Sequence, residues 1–176
     1  FGVELWLYAQ GIDPRPVIPE AGEPRSVSHE ETFAHDISDP ALVDTELLRL
    51  SEKVGARLRR YGLQGRTVVI KIRYGDFTTI TRRETLEEPT DVDMEIYRCA
   101  RRLWDKAWER GRPVRLIGVG MQQLSPTSRQ LRLLPADSDE LVRQRQRALN
   151  QAVDFIRQRF GDKALRRARL LRRSRG

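Results

Sequence analysis

Between residues 25 and 124 the apolar positions of this chain switch between a two-residue and a 3.6-residue repeat. They read in the order strand, helix, strand, strand, helix, strand, and few folds accept that order. Residues 25–33 alternate, with Val27 and Phe33 on one side and Ser26, Ser28, Glu30 and Thr32 on the other. Asp39-Pro40 supplies an N-cap and a first-turn proline, after which Leu47, Leu50, Val54, Leu58 and Tyr61 recur at helical spacing as far as Gly62. Residues 65–74 form the next strand, with Val68, Ile70 and Ile72 inward and Thr67, Val69, Lys71 and Arg73 outward. Gly75-Asp76 predicts a tight hairpin turn, and residues 77–86 return rich in threonine and arginine. Thr90 is expected to cap a second helix whose first turn holds Asp91 and Asp93 and whose apolar face carries Ile96, Ala100, Leu103, Trp104 and Ala107. Residues 114–124 make the fourth strand, read as an edge strand whose facing stays open because Leu116, Ile117 and Val119 declare no inward parity. The expectation is an α+β fold: a βαββαβ four-stranded antiparallel sheet with two helices on one face, the other face open, plus an N-terminal linker and a C-terminal helix.

The flanks read differently. Residues 1–11 look like the end of a helix from a preceding domain, closed by Gly11, and residues 12–24 form a linker stiffened by Pro14, Pro16, Pro19 and Pro24. The compact domain spans 25–124, a loop 125–137, a helix 138–161 and a basic tail 162–176. Phe1 in place of Met suggests that the chain was cut from something larger. The formal charge of +8 is concentrated at the end, where nine basic residues from Arg157 onward face Asp162 alone, so the remainder is neutral. A face that attracts nucleic acid must therefore be made by placement, not by bulk charge. A single Cys99 and two histidines exclude a disulfide framework and argue against a structural zinc site. No apolar run is long enough for a membrane, and no signal peptide is visible, so a reducing cytoplasm is the default.

The outward strand positions Ser26, Ser28, Thr32, Thr67, Lys71, Arg73, Thr79, Thr81, Arg83 and Thr85 mix small hydroxyls with cations, which suits phosphate oxygens. The same residue types also serve as plain solvent-facing strand residues. RNA-recognition modules share the βαββαβ order but stack bases on aromatics in their central strands. Here residues 77–86 carry Thr and Arg in those places, so contact with a duplex backbone fits better than base stacking. The peptide Gln130-Leu131-Arg132-Leu133-Leu134 can enter an apolar pocket of a partner, or it can serve as a connector packing on its own domain. The terminal arginines Arg166, Arg167, Arg169, Arg172, Arg173 and Arg175 read as a solvated end or as a non-specific nucleic-acid attractor. Asp91 and Asp93 read as helix capping, not as a metal pair, and Trp104 and Trp108 as core and rim packing. His29 and His35 have no serine or cysteine partner in view.

Three segments together resemble a known family: Ser26-Val27-Ser28-His29-Glu30-Glu31-Thr32-Phe33, Tyr74-Gly75-Asp76-Phe77-Thr78-Thr79-Ile80-Thr81-Arg82 and Val114-Arg115-Leu116-Ile117-Gly118-Val119. They are similar to the little-finger (polymerase-associated) domain of Y-family translesion DNA polymerases, closest to its bacterial members. Leu5-Trp6 with Gly11-Ile12-Asp13 resembles the end of that family's thumb, and Phe155-Ile156-Arg157 with Phe160-Gly161-Asp162 its C-terminal helix. The resemblance implies an open sheet laid in the major groove of primer–template duplex DNA. By position it assigns phosphate contacts to Ser26, Ser28, Thr79, Thr81, Arg82 and Arg83, with Lys71 and Arg73 supporting, and the outward alternation adds Thr32 to this DNA-binding set. It assigns Gln130, Leu131, Leu133 and Leu134 to a sliding-clamp motif, with Leu134 standing where phenylalanine is usual. It implies a DNA-directed DNA polymerase acting in damage bypass as the full-length protein. Its magnesium ions would be held by carboxylates upstream of Phe1, and this chain alone would have neither cofactor nor polymerase activity.

Overall fold

The computed structural model describes residues 1–16, 24–127 and 138–171. The elements in chain order are α1 (Gly2–Ala9), β1 (Ser26–Ile37), α2 (Pro40–Arg60), β2 (Leu63–Tyr74), β3 (Thr79–Thr90), α3 (Asp93–Ala107), β4 (Val114–Pro126), α4 (Ser138–Phe160) and a short 3₁₀ turn (Ala168–Leu171). The four strands form one antiparallel sheet in the order β1-β4-β2-β3.

Local chemistry sets the boundaries. Asp39 Oδ1 accepts from Ala41 N at 2.8 Å and Pro40 opens α2, which ends where Gly62 turns to φ 63°. Val43, Leu47, Leu50, Val54 and Leu58 of α2 are fully buried, whereas Tyr61, expected in the same stripe, sits on the helix end and is 49% exposed. The start of α3 differs from the sequence expectation. β3 runs on to Thr90, whose Oγ1 accepts from Val92 N at 3.0 Å, and the helix begins only at Asp93 with no side-chain cap. Asp91 and Asp93 are buried and engaged by arginines: Arg147 Nε donates to Asp91 at 2.9 Å and Arg59 Nη1 to Asp93 at 2.8 Å.

The helices α2 and α3 cover one side of the sheet. Between them and the strands lies the core, in which Val68, Ile70, Ile72, Ile117, Val119 and Met121 meet Leu47, Leu50, Val54, Ile96, Ala100 and Trp104. Each fully buried aliphatic contributes about 1.5–3 kcal/mol relative to exposure, so this layer dominates stability. Trp104 is buried and stacks on the half-buried Trp108 with ring centroids 5.1 Å apart, as core and rim.

The position of β4 corrects the edge assignment. It lies in the middle, paired on one side with β1 and on the other with β2, and the edges are β1 and β3. Both crossovers skip a strand: β1 reaches β2 across β4, and β3 reaches β4 across β2. The physical reason is burial. Residues 116–121, Leu-Ile-Gly-Val-Gly-Met, are buried without interruption, because the strand has a neighbour on each side, Ile117, Val119 and Met121 face the core, and side chains of β1 lean over Gly118 and Gly120 on the other face.

The helix α4 and the tail pack on the helical side of the domain, and they do so through charge. Arg143 meets Glu88 and Glu95, Arg147 meets Asp91, Asp154 meets Arg59, and Arg157 meets Glu52. The apolar residues Leu141, Val142, Leu149, Phe155 and Phe160 face outward instead. The tail is not a free solvated end over its described part. Arg167 Nε donates to Glu52 at 2.5 Å, and Arg169 binds the buried Asp44. The residues from 172 onward, like Pro19 of the linker, lie outside the described residues.

Candidate nucleic-acid interface

Strand register sorts the uncovered side of the sheet into four rows, each crossing β1, β4, β2 and β3 in turn. They are Thr32–Leu116–Arg73–Thr79, Glu30–Gly118–Lys71–Thr81, Ser28–Gly120–Val69–Arg83 and Ser26–Gln122–Thr67–Thr85. Alternation in β-strands sends these side chains to the face opposite the helices. Among the described residues, α2, α3 and α4 all lie on the other side, so nothing described covers these rows.

The register confirms the outward parity expected for Ser26, Ser28, Thr32, Lys71, Arg73, Thr79, Thr81 and Arg83. Arg82 does not join them. It pairs with Ile70 in the row that contains His29 and Val119, on the helix side of an edge strand, and its Nη1 donates to Thr81 O at 3.0 Å. The peptide residues Gln130, Leu131, Leu133 and Leu134 lie outside the described residues.

Sequence reasoning missed the contribution of β4, because the parity of that strand was not readable alone. Gly118 and Gly120 occupy its two central open-face positions. Side chains from β1 lean over them: a Cβ on Gly118 would stand 2.8 Å from Glu30 Cγ, and one on Gly120 would stand 3.0 Å from Ser28 Cβ. The result is a shallow trough of about 170 Å³ lined by Ser26, Ser28, Glu30, Lys71, Thr81 and Gln122. A bare strand between a row of hydroxyls and a row of cations lets a bulky backbone approach closely. A glycine pair inside a strand, GVG at 118–120, was the available signal.

The hydroxyls are held ready. Thr67 Oγ1 lies 3.0 Å from Thr85 Oγ1 and donates to Gln123 Oε1 at 3.1 Å; Arg73 Nε donates to Thr79 Oγ1 at 2.9 Å. Lys71 Nζ donates to both carboxylate oxygens of Glu30 at 3.1 Å. Arg83 is exposed and has no charged partner among the described residues.

At one end of the sheet the β2–β3 turn is one residue longer than the two-residue hairpin expected at Gly75-Asp76. Phe77 N donates to Tyr74 O at 3.0 Å and Tyr74 N to Thr78 O at 2.9 Å, so Gly75, Asp76 and Phe77 form a three-residue loop. The positive φ falls on Phe77, at 66°, a strained conformation for a bulky residue. Its ring is 65% exposed, with the Arg115 guanidinium 5.0 Å from the centroid. Gly75 answers a different need: a Cβ there would stand 2.2 Å from Asp36 Oδ2.

On the opposite side of the domain the buried acids are paired. Asp44, Glu52, Asp91 and Asp93 are each met by at least one arginine. Burial pushes the Asp93 carboxyl up to about 6, opposed by Arg59 and Arg167. Burial also raises the Tyr97 hydroxyl to about 12, helped by its hydrogen bond to Asp44, and the Cys99 thiol to about 12, helped by Glu84. His29 is pushed down by burial and then by Lys53, Arg57 and Arg49. Among the described residues no group of three or more His, Cys, Asp or Glu is placed to hold a metal ion. The acids that cluster are already neutralised by guanidinium groups, so a magnesium pair does not fit here. No described helix is long and apolar enough to cross a membrane.

Comparison with known proteins gives consistent matches. Residues 24–134 match the model of the impB/mucB/samB family C-terminal domain. DNA polymerase IV of Clostridium kluyveri is 33% identical over 98% of this chain and 44% of its own length. That of Desulfatibacillum aliphaticivorans is 39% identical over 97% of this chain and 42% of its own length. That of Streptomyces coelicolor is 44% identical over 70% of this chain and 26% of its own length. The chain thus spans less than half the length of these relatives. A solved structure described as a complex of beta-clamp processivity factor and little finger domain of PolIV matches 61% of this chain and 97% of that one, with 29% identity and a TM-score of 0.49.

Proposed function

This chain belongs to the impB/mucB/samB family, whose C-terminal domain it carries, and on that premise we propose that it is the duplex-holding part of an error-prone translesion DNA polymerase. The open sheet face lies against primer–template DNA. Ser26, Ser28, Thr32, Thr79 and Thr81 donate hydrogen bonds to phosphate oxygens, while Lys71, Arg73 and Arg83 supply charge. Arg82 reaches a phosphate only around the sheet edge. The one observation that carries this reading is the makeup of the uncovered rows, which hold three cations against the single anion Glu30, a line of hydroxyls and a bare strand.

A grip of this kind reads no base edges and tolerates distorted templates, because phosphate contacts fix position without sequence information. Nucleotide transfer belongs to carboxylates and magnesium elsewhere in the polymerase; this chain positions the duplex and does no chemistry. The peptide Gln130–Leu134 recruits a sliding clamp by placing its glutamine and leucines in an apolar pocket, and the protein works in the cytoplasm.

Titration of labelled primer–template duplex over a range of salt concentrations tests the face. Log affinity falls by about 0.9 per phosphate contacted, per log unit of salt. Arg73→Ala with Arg83→Ala is expected to flatten that slope by nearly two contacts. Binding and slope unchanged by the pair of substitutions would overturn the assignment in favour of a protein-interaction module. For the clamp, Gln130→Ala is expected to reduce recovery of a clamp ring in pull-down, and equal recovery would remove the docking role.

A further inference from the structure

In the second row of the open face, Glu30 on β1 and Lys71 on β2 stand on opposite sides of β4, about 9–10 Å apart at the backbone. Their side chains nevertheless meet, with Lys71 Nζ 3.1 Å from each carboxylate oxygen of Glu30. The residue between them is Gly118. Because a Cβ there would stand 2.8 Å from Glu30 Cγ, any larger residue would wedge the two apart. The bare strand and the ion pair are therefore one device.

That device sits in the trough where a phosphate would enter. Of the three cations in the four rows, Lys71 alone is held by a carboxylate; Arg73 bonds a neutral hydroxyl, and Arg83 has no charged partner among the described residues. Glu30 is the one anion in those rows. An ion pair this exposed contributes little to folding, so stability does not account for a carboxylate here. Its effect on an arriving polyanion is larger. It repels the phosphate and holds back the central ammonium that would otherwise receive it.

We propose that Glu30 is an affinity-limiting residue: it competes with phosphate for Lys71 and sets how weakly the sheet grips duplex DNA. The inference rests on the reading of the open face as a DNA surface. When a phosphate enters the trough, Lys71 swings from the carboxylate to the phosphate oxygen, and when the duplex leaves, Glu30 takes the ammonium back. Weak holding is thereby built into the most central contact, and the domain can release and rebind without any change of fold.

The test compares the wild-type chain with Glu30→Gln, Lys71→Ala, the double variant and Arg83→Ala, using primer–template duplex over a range of salt. Glu30→Gln keeps the size of the side chain and removes its charge. It is expected to tighten binding about three- to tenfold at low salt and to steepen the log–log slope by about 0.9, one extra phosphate contact. Combining it with Lys71→Ala is expected to abolish the added slope. If Arg83→Ala weakens binding while Glu30→Gln leaves it equal or weaker, the role of Glu30 is overturned and the DNA face stands. If Arg83→Ala also changes nothing, the DNA face itself fails and takes this inference with it. Thermal unfolding of each variant verifies that the fold is intact.

Discussion

Arg59 and Asp93 face each other in a site almost closed to water, 7% and 4% exposed, with Nη1 and Oδ1 2.8 Å apart. The pair joins α2 to the start of α3, and through Asp154, 2.6 Å from Arg59 Nε, it joins both to α4. Gly55 on α2 makes room for it, since a Cβ there would stand 2.1 Å from Asp93 Oδ1 and 3.2 Å from Asp91 O. Gly55→Ala is therefore expected to separate the pair and destabilise the domain by about 3 kcal/mol. Chemical denaturation of the variant measures this. A loss below about 0.5 kcal/mol would contradict the packing argument.

Asp93 also gives the fold a pH dependence of unusual sign for a carboxylate. Burial, against the pull of Arg59, raises it from 3.8 to about 6. A raised folded value stabilises below the unfolded value, and that contribution is lost as pH rises through about 6. Relative to Asp93→Asn, wild-type stability is expected to fall by about 1–3 kcal/mol between pH 4 and pH 7. Paired denaturation curves across that range, with the carboxyl followed by carbon NMR, decide it; parallel pH profiles would refute the assignment.

The attachment of α4 rests on guanidinium–carboxylate pairs, whereas the sheet–helix layer rests on apolar burial. Salt and Glu52→Gln, which weakens the grip on Arg157 and Arg167, are expected to loosen residues 138–171 before the core. Amide exchange should rise in α4 several-fold with salt while β2 and β4 stay protected. Uniform exchange throughout would show that the helix and core unfold together.

Cys99 is buried, and its thiol is pushed up to about 12. It is expected to resist a thiol reagent at pH 8 in the native state and to react fully on unfolding. Rapid native modification would place the side chain at the surface.

The parity of β1, β2 and β3 was legible from alternation because each has one apolar and one polar side. Val27, Val68, Ile70 and Ile72 are buried as that pattern required. The place of β4 was not legible, since Leu116, Gly118 and Gly120 put no polar side chain on its open face and so erase the alternation that reveals it. Tyr61 followed the helical period yet lies at the exposed helix end, where spacing no longer predicts burial. The arginine side of α4 was hidden for another reason: charged residues at helical spacing look solvated until the matching acids Glu52, Asp91 and Glu95 are brought alongside by distant parts of the chain. Glu30 was read as a plain outward residue, and only register shows that Gly118 lets it touch Lys71.

Because β4 is the last of the described strands yet fills the middle of the sheet, β1 has no partner among those strands until residue 114 and beyond have been made. A ribosome-bound chain ending earlier can form the β2–β3 hairpin but leaves β1 with an unsatisfied edge. Closure therefore waits on contacts between residues 84 to 96 positions apart, from Thr32 with Leu116 to Ser26 with Gln122, the kind of long-range pairing that slows folding. Assembly of this sheet is a late, all-at-once event, and truncations within β4 should abolish the fold and not merely shorten it.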